Sequence, residues 1–201
     1  MNSSAAPLVS ICIVTYNHEK YISQCILSVL NQQADFKFEI IIGDDASTDK
    51  TSKIIAELEK SNKEIIRILH HKKNIGASRN YITTHNAASG KYIAHLDGDD
   101  FWLPGKLKSQ IDFFNRHPEC SAVYSNAVVI DKFEKRIGTF NKKVQDTFDT
   151  SYLLERGNFL NASSLIYRSN LREKILPSNG EFLDYKIHLR CSAYGALGYI
   201  N

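Results

Sequence analysis

A chain of 201 residues with 43% hydrophobic side chains holds enough apolar material for one substantial core, which argues against a disordered protein. Its 25 basic residues nearly offset its 22 acidic ones, and a net charge of +3 is too even for a dedicated nucleic-acid binder. Cys12, Cys25, Cys120 and Cys191 are scattered without zinc-type spacing and read as reduced, buried thiols of a cytoplasmic protein.

Met1–Pro7 lacks the basic region and apolar stretch of a signal peptide, and no run reaches the ~20 apolar residues that span a bilayer. The first strand is read over Val9–Val14 and is followed by Thr15-Tyr16-Asn17. Tyr21, Ile22, Cys25, Ile26, Val29 and Leu30 recur at helical spacing. A second strand, Glu39–Gly43, runs into Asp44-Asp45, and Thr51–Lys60 gives a second amphipathic helix. Strands at Ile65–Leu69 and Tyr92–Leu96 follow, the latter ending in Asp97-Gly98-Asp99-Asp100. Pro104 suits a helix's first turn, so Lys106–Arg116 is read as a helix and Ala122–Ile130 as a strand. Residues 131–160 show no clear period. Leu165–Arg168 gives another strand, Asp184–Tyr194 a helix, and Leu197–Ile200 a last apolar segment that suggests a domain continuing past Asn201. Basic clusters at His70–Lys73 and Lys132–Lys143 are either solvated surface or peripheral contacts with anionic lipid.

Near-continuous apolar strands alternating with helices predict a Rossmann-like α/β fold, a mostly parallel sheet with helices on both faces. Ligands of such sheets gather beyond the carboxyl ends of the strands, and there the sequence places its polar and acidic groups. In Asp44–Asp49, Ser47 and Thr48 read as helix caps and Asp49 as a partner of the helix dipole. Capping leaves the two adjacent carboxylates unexplained, and either can accept from a base N–H or a ribose hydroxyl. Asp97 and Asp99, two apart, would project to one side of an extended chain. That makes half of an oxygen site for Mg²⁺ or Mn²⁺, with diphosphate oxygens and water completing the shell.

The segments Val9–Gln32, Glu39–Asp49, Asn74–Asn80 and Gly90–Leu107, in that order, resemble the family-2 glycosyltransferases of the GT-A fold, and Phe182–Asn201 resembles that family's later acidic segment. The resemblance implies one catalytic domain over 1–201, with a nucleotide-binding half at 8–103 and an acceptor-side half at 104–201. It implies a nucleoside diphosphate sugar donor, a UDP-sugar being favoured, and a saccharide or lipid-linked saccharide acceptor. Transfer would invert the anomeric carbon and serve surface polysaccharide or glycoconjugate synthesis, in the cytoplasm or on the inner face of the plasma membrane. Thr15, Tyr16, Asn17, Asp44 and Asp45 would hold the nucleotide, Asp97 would lie near ribose and diphosphate, and Asp99 would be the principal ligand of a Mn or Mg ion. Asp184 matches the catalytic base, although an aspartate opening a helix also reads as a cap. Arg79 is either a nucleotide contact or a surface residue, Trp102 either walls the sugar pocket or fills core, and His188 is either structural or a further metal ligand. The Q-x-x-R-W signature of processive members is absent from these residues.

A Mg-dependent phosphotransferase would want an aspartyl nucleophile after the first strand, where Thr15 stands, and no Gly-rich phosphate loop is present. No G-x-G-x-x-G follows that strand, which argues against a dinucleotide oxidoreductase. The non-enzymatic alternative is a nucleotide-sugar-binding module without turnover.

Overall fold

Strand residues that alternate between two apolar faces set the architecture, and a computed structural model describes it for residues 6–177 and 184–201. The first half is a run of strand–helix units: β1 (Val9–Thr15), α1 (Ile22–Leu30), β2 (Phe38–Asp44), α2 (Thr51–Ser61), β3 (Ile66–His70), α3 (Ala77–Asn86) and β4 (Tyr92–Asp97). After α4 (Lys106–Arg116) and β5 (Cys120–Ser125) comes a small hairpin, β6 (Val128–Ile130) and β7 (Arg136–Thr139). Then follow β8 (Thr147–Phe148), α5 (Thr150–Arg156), β9 (Ile166–Arg168), α6 (Arg172–Ile175), α7 (Asp184–Ser192) and β10 (Ala196–Ile200).

The main sheet has the order β3-β2-β1-β4-β9-β5-β10-β8. Strands β3, β2, β1 and β4 are mutually parallel, and β10 is parallel to β5. The reversed strands are β9, between β4 and β5, and β8, beyond β10. Successive residues of β1 feed different cores: Val9, Ile11 and Ile13 pack with α1, α2 and α4, while Cys12 faces the layer holding Tyr81 of α3 and Ile187 and Cys191 of α7. That alternation is the period-2 geometry of a strand buried on both faces. Chain order reverses between β1 and β4, so the ligand crevice of an open α/β sheet is expected beyond Thr15 and Asp97.

Two expectations need correction, and one helix was not legible. The strand read over Ala122–Ile130 is two strands, because the Asn126 side chain ties the end of β5 to the far end of a separate hairpin: its Oδ1 accepts from Ala127 and Asn141 N–H and its Nδ2 donates to Asn141 O. Pro104 precedes α4 rather than opening it, and Gly105 at φ 82° makes the entry turn. Helix α3 had no apolar period to reveal it, since Asn80, Thr84 and His85 are among its buried residues. All four cysteines are free and buried. Residues 178–183, which include the start of the segment Phe182–Asn201, lie outside the described residues.

Candidate active site at the carboxyl edge of the sheet

Register puts the tails of β1, β2 and β4 side by side: Thr15 pairs with Asp44 and Val14 with Asp97. Two backbone bonds continue the sheet into the loops, from Asp45 N to Thr15 O at 3.0 Å and from Gly98 N to Val14 O at 2.9 Å. Gly98 permits this approach, because a Cβ there would lie 2.6 Å from Thr15 Oγ1 and 2.9 Å from His18 Nδ1. Tyr16, 43% exposed, is the open side chain of this tail, whereas Thr15 is buried.

Asp44 and Asp45 are both buried and both are engaged by the protein's own loops. Asp44 is buried and accepts from Ser47 N and Oγ and from Ser52 Oγ, closing the turn that leads into α2. The caps read at Ser47 and Thr48 are thereby corrected: α2 begins at Thr51, whose N–H is taken by Asp49 Oδ1 at 2.9 Å. Asp45 accepts from the N–H groups of Ile75 at 2.7 Å and Gly76 at 2.9 Å, which fixes the loop ahead of α3. Asn17, at φ 56°, clamps the β1 tail to that of β2 by accepting from Thr48 N at 2.8 Å. Arg79 is exposed on the first turn of α3. Asn80, two hydrogen bonds deep between Gly43 O and His71 Nε2, is an anchor that sequence reasoning passed over.

The acids of β4 depart from the extended geometry. The strand ends at Asp97 and the chain turns through Gly98 and Asp99, with Asp100 N donating to Asp97 O. Asp97 is held on both sides: Oδ1 lies 3.2 Å from His95 Nε2, and Oδ2 accepts from Ser163 Oγ at 3.2 Å. Behind it runs a buried chain, with His95 Nδ1 3.2 Å from His85 Nε2 and His85 Nδ1 3.0 Å from Tyr167 Oη. One proton assignment satisfies every atom: Tyr167 donates to His85, His85 to His95, and His95 to the carboxylate, with both imidazoles neutral. Burial, followed by His95, pushes His85 well below the ordinary histidine range, which agrees with that assignment. Burial alone would raise the Asp97 carboxyl, but His95 and then Ser163 outweigh it and hold it below the usual range. The signal for His95 was present in the sequence as a polar residue two before Asp97 on an apolar strand.

Asp99 is half-exposed and its Oδ2 lies 4.0 Å from His18 Nε2. Among the described residues no group of three or more acid, histidine or cysteine side chains is placed to enclose a metal. Asp97 and Asp99 instead fit the sparse oxygen donor set of Mg²⁺ or Mn²⁺, which keeps much of its shell for phosphate and water. Asp100, next in line, has its carboxyl raised by burial, with Asp97 and Asp99 adding to the rise.

Trp102 is packed into the core and also lines a cavity. Its ring is 5% exposed and its Nε1 donates to Ser163 O at 2.9 Å, yet it lines a cavity of about 650 Å³ together with Asp99, Lys106, Asn126 and Ser163. Lys106 Nζ stands 3.9 Å from the Trp102 ring centroid and donates to Gln110 Oε1, and burial pushes its ammonium well below the usual lysine range.

Asp184 is the first described residue of α7 and is exposed. Its carboxyl is pushed up, first by desolvation and then by the Asp97 carboxylate. His188, one turn on, is buried against Tyr124, with Nδ1 2.8 Å from the phenol, and burial followed by His95 brings it down to about 4. That is a structural placement.

A family model described as glycosyl transferase family 2 matches residues 10–175. An uncharacterized glycosyltransferase of Methanocaldococcus jannaschii is 32% identical over 197 residues, covering 93% of this chain and 65% of that protein. Among solved structures, S. aureus TarS in complex with UDP-GlcNAc superposes with a TM-score of 0.72 at 20% identity, over 96% of this chain and 55% of that one. The mannosyltransferase PcManGT from Pyrobaculum calidifontis, in complex with GDP-Man and Mn²⁺, gives 0.66 at 16%, over 98% and 55%. At these identities the structures speak for the fold, which is GT-A-like as expected. The chain spans about half the length of several curated relatives it matches.

Proposed function

We propose that this chain, which belongs to glycosyl transferase family 2, moves a sugar from a nucleoside diphosphate sugar to an acceptor hydroxyl with inversion at the anomeric carbon. The observation that carries the reading is the gathering of Tyr16, Asp97 and Asp99 at the carboxyl ends of β1 and β4, where the chain order of the sheet reverses. In this reading Tyr16 meets the nucleotide, and Thr15, Asn17, Asp44 and Asp45 hold the two loops that frame it. Arg79, exposed beside the loop that Asp45 fixes, contributes a cation to the nucleotide. A bound Mn or Mg ion, held by Asp99 and Asp97, would supply positive charge to the diphosphate as it leaves. Asp184 takes the acceptor's proton, the acceptor oxygen bonds to the anomeric carbon, and the bond from that carbon to the diphosphate breaks. Trp102 walls the sugar, and the acceptor approaches through the residues of 104–201.

Support for the donor class comes from the relatives of this fold, whose structures contain UDP-GlcNAc and GDP-Man. A UDP-sugar is the favoured donor, and a saccharide or lipid-linked saccharide of the cell surface the favoured acceptor. No described helix is long and apolar enough to cross a membrane, and the working place is taken to be the cytoplasm, with the inner membrane face adjoining. The test is thermal stabilisation of the protein by UDP- and GDP-sugars with and without Mn²⁺, followed by release of the nucleoside diphosphate. A ligand at 100 times its Kd stabilises by about 2.7 kcal/mol. No stabilisation by any nucleotide sugar would overturn the reading, and stabilisation without transfer or slow hydrolysis would favour a binding module.

A further inference from the structure

The hairpin of β6 and β7 stands outside the main sheet, its two strands pairing only with each other. A two-stranded ribbon is marginal in water without a covering partner. Here it carries the two most exposed large apolar side chains among the described residues, Phe133 at 77% and Ile137 at 64%. Residues 131–143 hold five basic side chains, Lys132, Lys135, Arg136, Lys142 and Lys143, against Asp131 and Glu134, a net +3 equal to that of the whole chain. All five are exposed, and among the described residues none is in an ion pair.

The tip is built rather than loose. Asp131 Oδ1 accepts from Phe133 N at 2.8 Å and Lys135 N at 3.0 Å, and Glu134 adopts φ 61°, a conformation unusual for a side-chain-bearing residue. One acid is therefore occupied with the turn, and the positive charge is left facing outward around the Phe133 ring. An aqueous surface explains exposed lysines but not an exposed phenylalanine and isoleucine among them. A protein partner would fit the apolar pair but gives no reason for five unpaired cations. An acidic lipid surface answers both, attracting the cations within a Debye length and taking the apolar side chains into its interface.

We propose that the β6–β7 hairpin docks this protein onto an anionic bilayer, with Phe133 and Ile137 entering the interface and Lys132, Lys135 and Arg136 meeting the headgroups. The inference goes beyond the glycosyl-transfer reading, since it concerns the tip residues 132–137, which lie outside the cavity that β6 helps to line. It fits an acceptor presented at a membrane.

Co-sedimentation of the 201-residue protein with phosphatidylcholine vesicles, with and without phosphatidylglycerol, tests it at low and high salt. Binding is expected only to the acidic vesicles and is expected to fall with salt. Replacing Lys132→Gln, Lys135→Gln and Arg136→Gln together should weaken it roughly 10²-fold, at about a factor of five per charge. The pair Phe133→Ser and Ile137→Ser should weaken it at least ~10-fold. A Phe133→Trp variant should shift its emission to the blue on adding acidic vesicles. The proposal is overturned if wild type ignores acidic vesicles at low salt, if both multiple variants bind as wild type does, or if the Phe133→Trp emission is already shifted without lipid because another copy covers the tip. Donor-induced stabilisation, measured on the same variants, should equal that of wild type. Vesicle failure with intact donor response sinks this proposal alone, and donor failure with intact vesicle binding sinks only the transferase reading.

Discussion

His95 Nε2 lies 3.2 Å from Asp97 Oδ1, and the two side chains share a face because they stand two residues apart on one strand. The histidine thus fixes a carboxylate that ribose, diphosphate and metal would all meet. His95→Phe should lower kcat/KM by roughly 10–10²-fold, the worth of a hydrogen bond to a charged group. It should also cost ~1–3 kcal/mol of stability, since His85 loses its acceptor. Tyr167→Phe, at the far end of the chain, should cost similar stability yet leave kcat/KM within a few-fold. Equal losses of activity in the two variants would show that His95 does not act through Asp97.

Asp99→Asn keeps shape and removes charge from the half-exposed acid that has only a 4.0 Å contact with His18. Donor affinity in the variant should become nearly indifferent to Mn²⁺, while affinity without metal stays close to wild type. Calorimetric titrations of UDP with and without Mn²⁺ measure this directly. An unchanged metal dependence would remove Asp99 from the ligand set.

Gly98→Ala would set a methyl 2.6 Å from Thr15 Oγ1 and 2.7 Å from Thr15 Cβ, inside any normal contact. The β1 tail and the acidic loop must then separate, at a cost of ~1–3 kcal/mol typical of overpacking. Donor affinity should fall with it, because the bond from Gly98 N–H to Val14 O holds the β1 tail against the end of β4. Full affinity and an unchanged Tm would show that the loop relaxes freely.

The strands and the acidic edge were legible because burial on both faces writes apolar runs, and because a strand that stops at a ligand edge must change chemistry abruptly. What stayed hidden had no such contrast. Helix α3 buries Asn80, Thr84 and His85, so its inner face reads as polar. The His85–His95–Tyr167 chain joins three elements far apart in sequence, and only the fold brings them together. Projecting Asp97 and Asp99 to one side assumed an extended chain, whereas the strand ends at Asp97. Asp44 looked like a ligand group because sequence does not show that Ser47 and Ser52 fold back on it.

His188 makes stability depend on pH. Its folded value is about 4, against an ordinary 6.5, so between those values the unfolded chain binds more protons than the folded one. The contribution is complete above pH 6.5 and is lost as pH falls toward 4, with a slope near ~1.4 kcal/mol per unit and a total of about 3 kcal/mol. Urea unfolding from pH 7 down to 4 should show the loss, and His188→Asn should flatten it, leaving the part due to His85. A variant whose stability falls with the wild-type slope would mean that another group is responsible.

Asp184 decides whether the site transfers or only binds. As a cap, its replacement by asparagine changes little, because asparagine caps nearly as well as aspartate. As a general base, the same replacement removes the atom that takes the acceptor's proton, a loss of ~10²–10⁴-fold in rate. The raised carboxyl favours the second role, since desolvation and the Asp97 charge make its ionised form a stronger base than a solvated aspartate. Only the ionised form works, so transfer should rise with pH through a value above the ordinary ~3.9, and Asp97→Asn should move that limb downward. Asp184→Asn should melt within about 1 °C of wild type, bind donor normally, and transfer at least ~10²-fold more slowly with donor saturating. Normal turnover in that folded, donor-bound variant would leave Asp184 a helix-opening residue and place the base elsewhere.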